Sequence, residues 1–243
     1  MAITKYIIAA AILMASVVHA GAQTVAELVD QGNQHIKSHE YSPAIDNFRK
    51  ALSQNPSDED ALNGIIRAYT LSNDYKNAQK YTEMALDRFP NNAEFILRSG
   101  ILLNHKGNFE KAVEVFEDGL KQQPASSIAI QLLMNKAAAE LNLNNFNAAI
   151  EDYSNVLEID PRNTNAYNYR GMANYKAGNF QSAVEDYTNA LDLDPSLSLA
   201  YYNRGMALLK LHDKPKACSD FQKSCKGKNS NACKMIVIEC QRR

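Results

Sequence analysis

A fixed spacing of prolines constrains the fold of this chain more than any other feature of its sequence. Pro56, Pro90, Pro124, Pro161 and Pro195 follow one another at intervals of 34, 34, 37 and 34 residues. A period of this length is typical of solenoids, in which each repeat packs only against its neighbours. We therefore predict a stack of short repeats.

Other positions repeat in step with these prolines. Twelve residues before each proline is an alanine, three residues before that alanine is an aromatic residue, and eight after it is a leucine. Apolar residues within each unit fall at helical spacing, which predicts two helices per unit. The interval of 37 inserts three residues near Ser126–Ile128. We expect a longer turn or an extra helical turn there, dividing the array into two halves. The alanines, including one that begins a sixth series, are Ala44, Ala78, Ala112, Ala149, Ala183 and Ala217.

Two segments carry a resemblance to a known family. Residues 165–195 read NAYNYRGMANYKAGNFQSAVEDYTNALDLDP, and residues 199–225 read LAYYNRGMALLKLHDKPKACSDFQKSC. Both closely resemble the tetratricopeptide repeat, and the resemblance extends from about Val25 to Lys228. It implies an all-α fold, a right-handed superhelical solenoid of about six helix-turn-helix units plus a C-terminal capping helix. The expected units are residues 25–58, 59–92, 93–126, 130–163, 164–197 and 198–228, followed by the capping helix at 229–243.

The N-terminus has the layout of a secretory signal peptide. One lysine precedes an apolar run at residues 6–18, and the small residues from Ala20 to Ala22 give a site for cleavage before Gln23, with an alternative site ending at Ala20. An apolar run of this length is too short to cross a bilayer. We therefore predict that residues 1–22 are removed and that the protein is exported, to the periplasm or outside the cell.

All four cysteines lie close to the C-terminus. Cys218 and Cys225 are seven residues apart, and so are Cys233 and Cys240. Seven residues along a helix return to the same face about 10 Å further on, which is too far for a disulfide within either helix. An antiparallel hairpin centred on Asn229 leaves the pairs Cys218–Cys240 and Cys225–Cys233. We expect these bonds to fasten the capping helix, with a zinc site, a redox-active pair and four free thiols as the alternatives.

Composition and motifs point away from nucleic acid and from catalysis. The 26 basic and 27 acidic residues nearly cancel, and no basic block indicates a nucleic-acid or anionic-membrane partner. The sequence has no glycine-rich phosphate loop, nucleophile elbow or HExxH zinc motif. We predict a protein that is not an enzyme and needs no metal or cofactor. The acid pairs Glu151-Asp152 and Glu185-Asp186 are interpreted as exposed helix surface.

The family resemblance implies a binding groove along the concave face, formed by the first helix of each unit. Members that bind chaperone tails use a Lys/Asn/Arg carboxylate clamp, but Val29 and Asn33 stand where that clamp has Lys and Asn, so this activity is not expected. Tyr and Met, which suit adaptable apolar contacts, are frequent in the C-terminal half. Packing between adjacent helices is the alternative at each position. The projected groove residues are Leu97, Arg98, Ile101, Met134, Asn135, Asn168, Tyr169, Met172, Tyr175, Tyr202, Asn203 and Met206.

These features predict a non-enzymatic protein–protein interaction module of the bacterial cell envelope that binds a segment of a protein or peptide partner in the groove. The alternative is a structural spacer or assembly scaffold of an envelope complex, which would use its convex surface and edges. A groove rich in aromatic side chains that do not pack internally favours the first interpretation, and a groove of bland polar residues favours the second. No membrane span is expected in the mature chain.

Overall fold

The predicted all-α fold is confirmed by the computed structural model, which describes residues 23–241. The predicted signal peptide lies outside these residues. The described part of the chain forms thirteen α-helices and a terminal π-helical turn, with no strand. It divides into two compact units, one ending at Ala85 and the other beginning at Leu86. The division at the three-residue insertion that the sequence suggested is therefore wrong.

The first unit is built from helices that pack around Phe48. Helix α1 begins with a capping box, in which the Thr24 hydroxyl accepts from the Glu27 amide while the Glu27 carboxylate accepts from the Thr24 amide. Phe48 is fully buried, and a Cβ added at Gly64 would lie 2.2 Å from its ring, so glycine permits the close approach of the two helices. The helices are α1 (Val25–Lys37), α2 (Tyr41–Gln54), α3 (Glu59–Leu71) and α4 (Tyr75–Arg88), whose last turn passes the unit boundary.

The second unit continues the same alternation of helices. Helix α7 has 17 residues where the other repeat helices have 13 or 14, so the three-residue insertion becomes about one extra helical turn. The helices are α5 (Ala93–His105), α6 (Phe109–Lys121), α7 (Ser126–Asn142), α8 (Phe146–Ile159), α9 (Thr164–Ala177), α10 (Phe180–Leu193), α11 (Ser198–Lys210), α12 (Lys214–Lys226) and α13 (Ser230–Met235), followed by the π-helical turn Ile236–Cys240.

The repeated positions of the sequence form the core of both units. All six alanines of the series are fully buried, as expected for residues at the contact between two helices of a hairpin. An aromatic side chain four residues later is buried in five of the six repeats, and Thr82 takes that place in the remaining one. In the last repeat a Cβ at Gly205 would lie 2.7 Å from the Phe221 ring. The core therefore follows the repeat pattern of the sequence.

Two disulfides hold α13 and the π-helical turn against α12. Cys218 is bonded to Cys240 and Cys225 to Cys233, with Cα separations of 5.7 and 4.9 Å, and these are the pairs expected from the seven-residue spacing. Ala232 of α13 is fully buried in a cluster with Phe221. The segment therefore covers apolar surface of the last repeat and is covalently fixed to it.

Candidate partner-binding site

A pocket opens between α7 and α9, which are first helices of consecutive repeats in the second unit. Its volume is about 470 Å³. Four projected groove residues line it together: Met134 and Asn135 from α7, and Tyr169 and Met172 from α9. The remaining lining residues are Ala138, Leu141, Asn142, Tyr153 and Lys176.

Two stacked aromatic rings form part of the wall of this pocket. The ring of Tyr169 stacks on that of Tyr153, with centroids 5.9 Å apart and planes 19° from parallel. Tyr153 is almost fully buried, and burial raises the pKa of its phenol, so the group stays neutral. Tyr169 is 40% exposed. A partly exposed aromatic side chain fixed by a buried one offers contact area at a small cost in conformational entropy.

Other projected groove residues serve the core instead. Leu97 is fully buried in a cluster with Phe116 and Leu132, so it cannot contact a partner, and its assignment to the groove is corrected. Tyr202 and Met206 pack against the cluster that contains Phe221. All three have first-helix positions; Leu97 is fully buried, whereas Tyr202 and Met206 are partly buried and do not line the pocket.

The last projected residues are scattered over the second unit. The Arg98 guanidinium donates to the Glu94 carboxylate at 3.0 Å, within its own helix. Ile101 packs against the Leu97 cluster, and Tyr175 packs edge-on against Phe180, with ring centroids 5.4 Å apart. Asn168 and Asn203 are half-buried, and neither lines the pocket.

A ladder of ion pairs joins consecutive repeats of the second unit. The Arg170 guanidinium donates through Nε and Nη2 to both oxygens of Asp186, at 2.7 to 3.1 Å, and through Nη1 to the Ser154 hydroxyl of the preceding repeat at 3.0 Å. Arg204 makes the same contacts one repeat later, to Asp220 and Thr188. Each arginine therefore ties together the second helices of two consecutive repeats.

The first ion pair of the ladder, between Lys136 and Asp152, is less completely hydrogen-bonded than the two arginine pairs. The Lys136 ammonium lies 3.1 Å from Asp152 Oδ1 and 3.4 Å from Glu117 Oε1, while Asp152 Oδ2 is buried without a hydrogen-bond partner among the described residues. Burial raises the pKa of Asp152 to about 6, because the attraction of Lys136 only partly offsets the loss of hydration. Asp152 and Asp186 are both buried, so the interpretation of the two acid pairs as exposed surface is wrong for the aspartates, whereas Glu151 and Glu185 are exposed as expected.

A second pocket, of about 500 Å³, lies on the first-helix face of the unit that ends at Ala85. It occupies the same repeat positions as the pocket between α7 and α9, but its lining is polar. The lining residues are Asp30, Asn33, Gln34, Lys37 and Arg67. The two units therefore present different chemistry on equivalent surfaces.

Four family models match the chain along most of its repeats. Two described as tetratricopeptide repeats match residues 29–92 and 164–197, and one described as a TPR repeat matches residues 138–178. A model of YpiA-like, C-terminal tetratricopeptide repeats matches residues 64–126. The chain belongs to the tetratricopeptide repeat family.

Curated relatives of this tetratricopeptide repeat protein match only parts of it. It is 30% identical over 106 residues to the DnaJ homolog subfamily C member 7 homolog of Schizosaccharomyces pombe, an alignment that covers 40% of this chain and 22% of that protein. It is 25% identical over 95 residues to Hsp70-Hsp90 organizing protein 3 of Arabidopsis thaliana, which covers 39% of this chain and 17% of that protein. The chain thus spans less than a quarter of either relative.

Solved structures match the tetratricopeptide fold over most of its length. PilW, described as a widely conserved type IV pilus biogenesis factor, superposes with a TM-score of 0.80 at 16% identity, covering 89% of this chain and 100% of that one. YrrB, described as a TPR protein with an unusual peptide-binding site, has a TM-score of 0.63 at 19% identity and covers 76% of this chain and 94% of that one. At these identities the likeness extends to the fold alone.

Sequence reasoning about the tetratricopeptide groove missed part of the pocket lining. Lys176 lies four residues after Met172, and this spacing places both on one helix face, so it could have been found. Tyr153 comes from a second helix and belongs to the buried aromatic series, which gave no sign that it also reaches the groove.

Two kinds of feature are absent from the described part of the tetratricopeptide array. Across residues 23–241, no cluster of three or more His, Cys, Asp or Glu side chains is arranged to hold a metal ion. Over the same stretch, every helix falls short of the length and apolarity that a membrane span requires.

Proposed function

We propose that this tetratricopeptide repeat protein is a non-enzymatic interaction module of the bacterial cell envelope. It binds a segment of a partner protein in the pocket between α7 and α9. Proteins of this family mediate protein–protein interaction, and the proposal adds a site and a compartment to that general role.

The stacked tyrosines at the pocket carry the proposal. Tyr169 keeps 40% of its surface exposed although it stacks on the buried Tyr153, and Met134 and Met172 flank it. Apolar side chains of this kind, gathered in one concavity, suit an apolar side chain of a partner. An aromatic side chain that keeps this exposure inside a concavity favours a binding protein over a spacer.

Two independent features support export to the envelope. The sequence of residues 1–22 has the layout of a signal peptide. All four cysteines are paired in disulfides, and such bonds persist in oxidising compartments. The fold is also shared with PilW, a pilus biogenesis factor by its description.

Site-specific photocrosslinking in cells tests this function. Tyr169 is replaced by p-benzoylphenylalanine in one variant, and in a matched control the same group replaces Lys111, an exposed residue of the second helix α6. We expect a discrete crosslinked partner from position 169 only, in the periplasmic or secreted fraction. The Tyr169 crosslink should disappear when Met172→Glu is added.

The opposite labelling pattern would contradict the proposal. A partner crosslinked from position 111 and not from position 169 would favour the scaffold that uses its outer surface. Protein found only in the cytoplasm, with residues 1–22 retained, would contradict the assignment to the envelope.

A further inference from the structure

The first helices around the pocket have an uneven distribution of charge. In α7, α9 and α11 the one acidic residue is Glu140, which is buried and accepts a hydrogen bond from Asn145. The same three helices contain five basic residues. Three of these, Lys136, Arg170 and Arg204, are neutralised by the buried aspartates of the ladder.

Two ammonium groups remain on this face. Lys176 and Lys210 occupy the last turns of α9 and α11, at equivalent repeat positions, and both side chains are exposed. Within residues 23–241 neither one forms an ion pair. The face therefore carries unneutralised positive charge next to an apolar pocket.

Lys176 belongs to the pocket itself. Its ammonium lies 5.9 Å from the centroid of the Phe146 ring, a cation–π distance that keeps the side chain at the rim. The amide nitrogens of Asn135 and Asn142 each donate one hydrogen bond to a carbonyl group of their own helix at 2.8 Å, and Lys176 is the charged residue of the lining. Lys176 is thus the cationic donor that the pocket offers to a ligand.

Resting on the function proposed above, we infer that the bound partner segment carries acidic side chains directly beside the apolar side chain that fills the pocket. Lys176 contacts the nearest carboxylate, and Lys210 extends the positive surface along the next repeat. The selected ligand is therefore an acidic–apolar peptide rather than a neutral or basic one.

Three synthetic peptides of ten residues test this inference on the purified protein. The first has a central leucine flanked on each side by two glutamates, the second replaces the glutamates by glutamines, and the third keeps the glutamates but replaces leucine by serine. Binding is followed by NMR of the methionine methyl groups, since Met134 and Met172 line the pocket. At low ionic strength we expect the first peptide to bind about threefold to fivefold more tightly than the second, as for one exposed ion pair.

Variants of Lys176 separate charge from structure. Lys176→Gln should remove the preference for the acidic peptide over the glutamine peptide, whereas Lys176→Arg should retain that preference. Lys111→Gln removes one exposed charge from a second helix and should leave every affinity unchanged. The serine peptide should shift neither methyl signal.

Each unfavourable result has a distinct meaning. Equal affinity for the glutamate and glutamine peptides overturns the acidic preference, and the crosslink at Tyr169 would still support the proposed function. Equal binding of the serine and leucine peptides overturns the apolar anchor. If no leucine peptide shifts the signals of Met134 or Met172, the inferred ligand class is wrong, and loss of the Tyr169 crosslink as well would remove the proposed function with it.

Discussion

The two pockets on first-helix faces show how one repeat pattern carries two kinds of surface. In the unit that ends at Ala85, the positions of Asn33 and Arg67 make a polar pocket. In the unit that begins at Leu86, the equivalent positions are Ala138 and Met172, and the pocket is largely apolar. The buried alanine series is the same in both units, so the core positions fix the fold while the face positions are free to differ.

The contacts between repeats differ in the same way. The second unit has the ladder in which Arg170 holds Asp186. Gln31 and Asn47 take the corresponding positions of the first repeat, and the Gln31 amide oxygen accepts a hydrogen bond from the exposed Gln23. We infer that buried ion pairs specify how repeats pack in the second unit, whereas the first unit relies on apolar packing and a hydrogen bond from the Arg49 guanidinium to the Tyr69 hydroxyl.

Truncation of a ladder arginine should give the largest loss of unfolding free energy. Arg170→Ala leaves the Asp186 carboxylate buried with Asn174 as its remaining donor, and loss of one partner of a buried ion pair costs about 3 kcal/mol or more of unfolding free energy. Gln31→Ala, at the equivalent position of the other unit, should change the unfolding free energy by less than about 0.5 kcal/mol. Urea unfolding followed by circular dichroism measures both.

The double variant Arg170→Met with Asp186→Leu sharpens this test. Because both charges are removed together, we expect it to recover most of the stability lost in Arg170→Ala. If Arg170→Ala and Gln31→Ala both lower the unfolding free energy by the same small amount, the inferred difference between the contacts of the two units is wrong.

The disulfides should stabilise one end of the second unit and leave the first unit unaffected. Cys218→Ala with Cys240→Ala opens a bond with a sequence separation of 22, which is worth about 3 kcal/mol in the chain-entropy account. Hydrogen exchange should show lost protection in α12 and α13 that fades towards α5, with no change before Ala85. The matched pair Cys225→Ala with Cys233→Ala opens a separation of 8 and should have a smaller effect. Uniform loss of protection along the chain would contradict a local role.

The Lys136–Asp152 ion pair of the ladder should make the unfolding free energy depend on pH. The folded-state pKa of Asp152, at about 6, lies above the ordinary value of a carboxyl group. Its stabilising contribution is therefore fully present below the ordinary pKa and is lost as the pH rises through 6. Relative to Asp152→Asn, wild-type protein should lose about 1 to 3 kcal/mol of unfolding free energy between pH 4 and pH 7.

A matched position in the other unit provides the control for this pH effect. Asn47 is buried at the equivalent site but cannot ionise, so the difference between wild type and Asn47→Ala should not change over the same range. A constant difference for Asp152→Asn as well would mean that this carboxyl group titrates normally in the folded protein.

Most of the fold could be predicted from the sequence because the same local pattern of residues occurs in every repeat. The alanine series, the aromatic series and the helix lengths each recur at a fixed period, and every recurrence supports the same two-helix unit. The cysteine spacing similarly limits the disulfide pairing, since helix geometry excludes bonds within either helix. These features depend on residues close together in the chain.

The site and the ladder depend on contacts between repeats, and only the tertiary structure decided them. Sequence position placed Leu97 and Tyr169 alike on first helices, but packing buried the first and left the second stacked at the rim of a pocket. Asp152 and Asp186 have the same place in their repeats, yet Lys136 leaves one carboxylate oxygen unpaired where Arg170 pairs both. Periodicity determines which face a residue occupies, whereas its exposure and partners depend on the side chains that the next repeat brings against it.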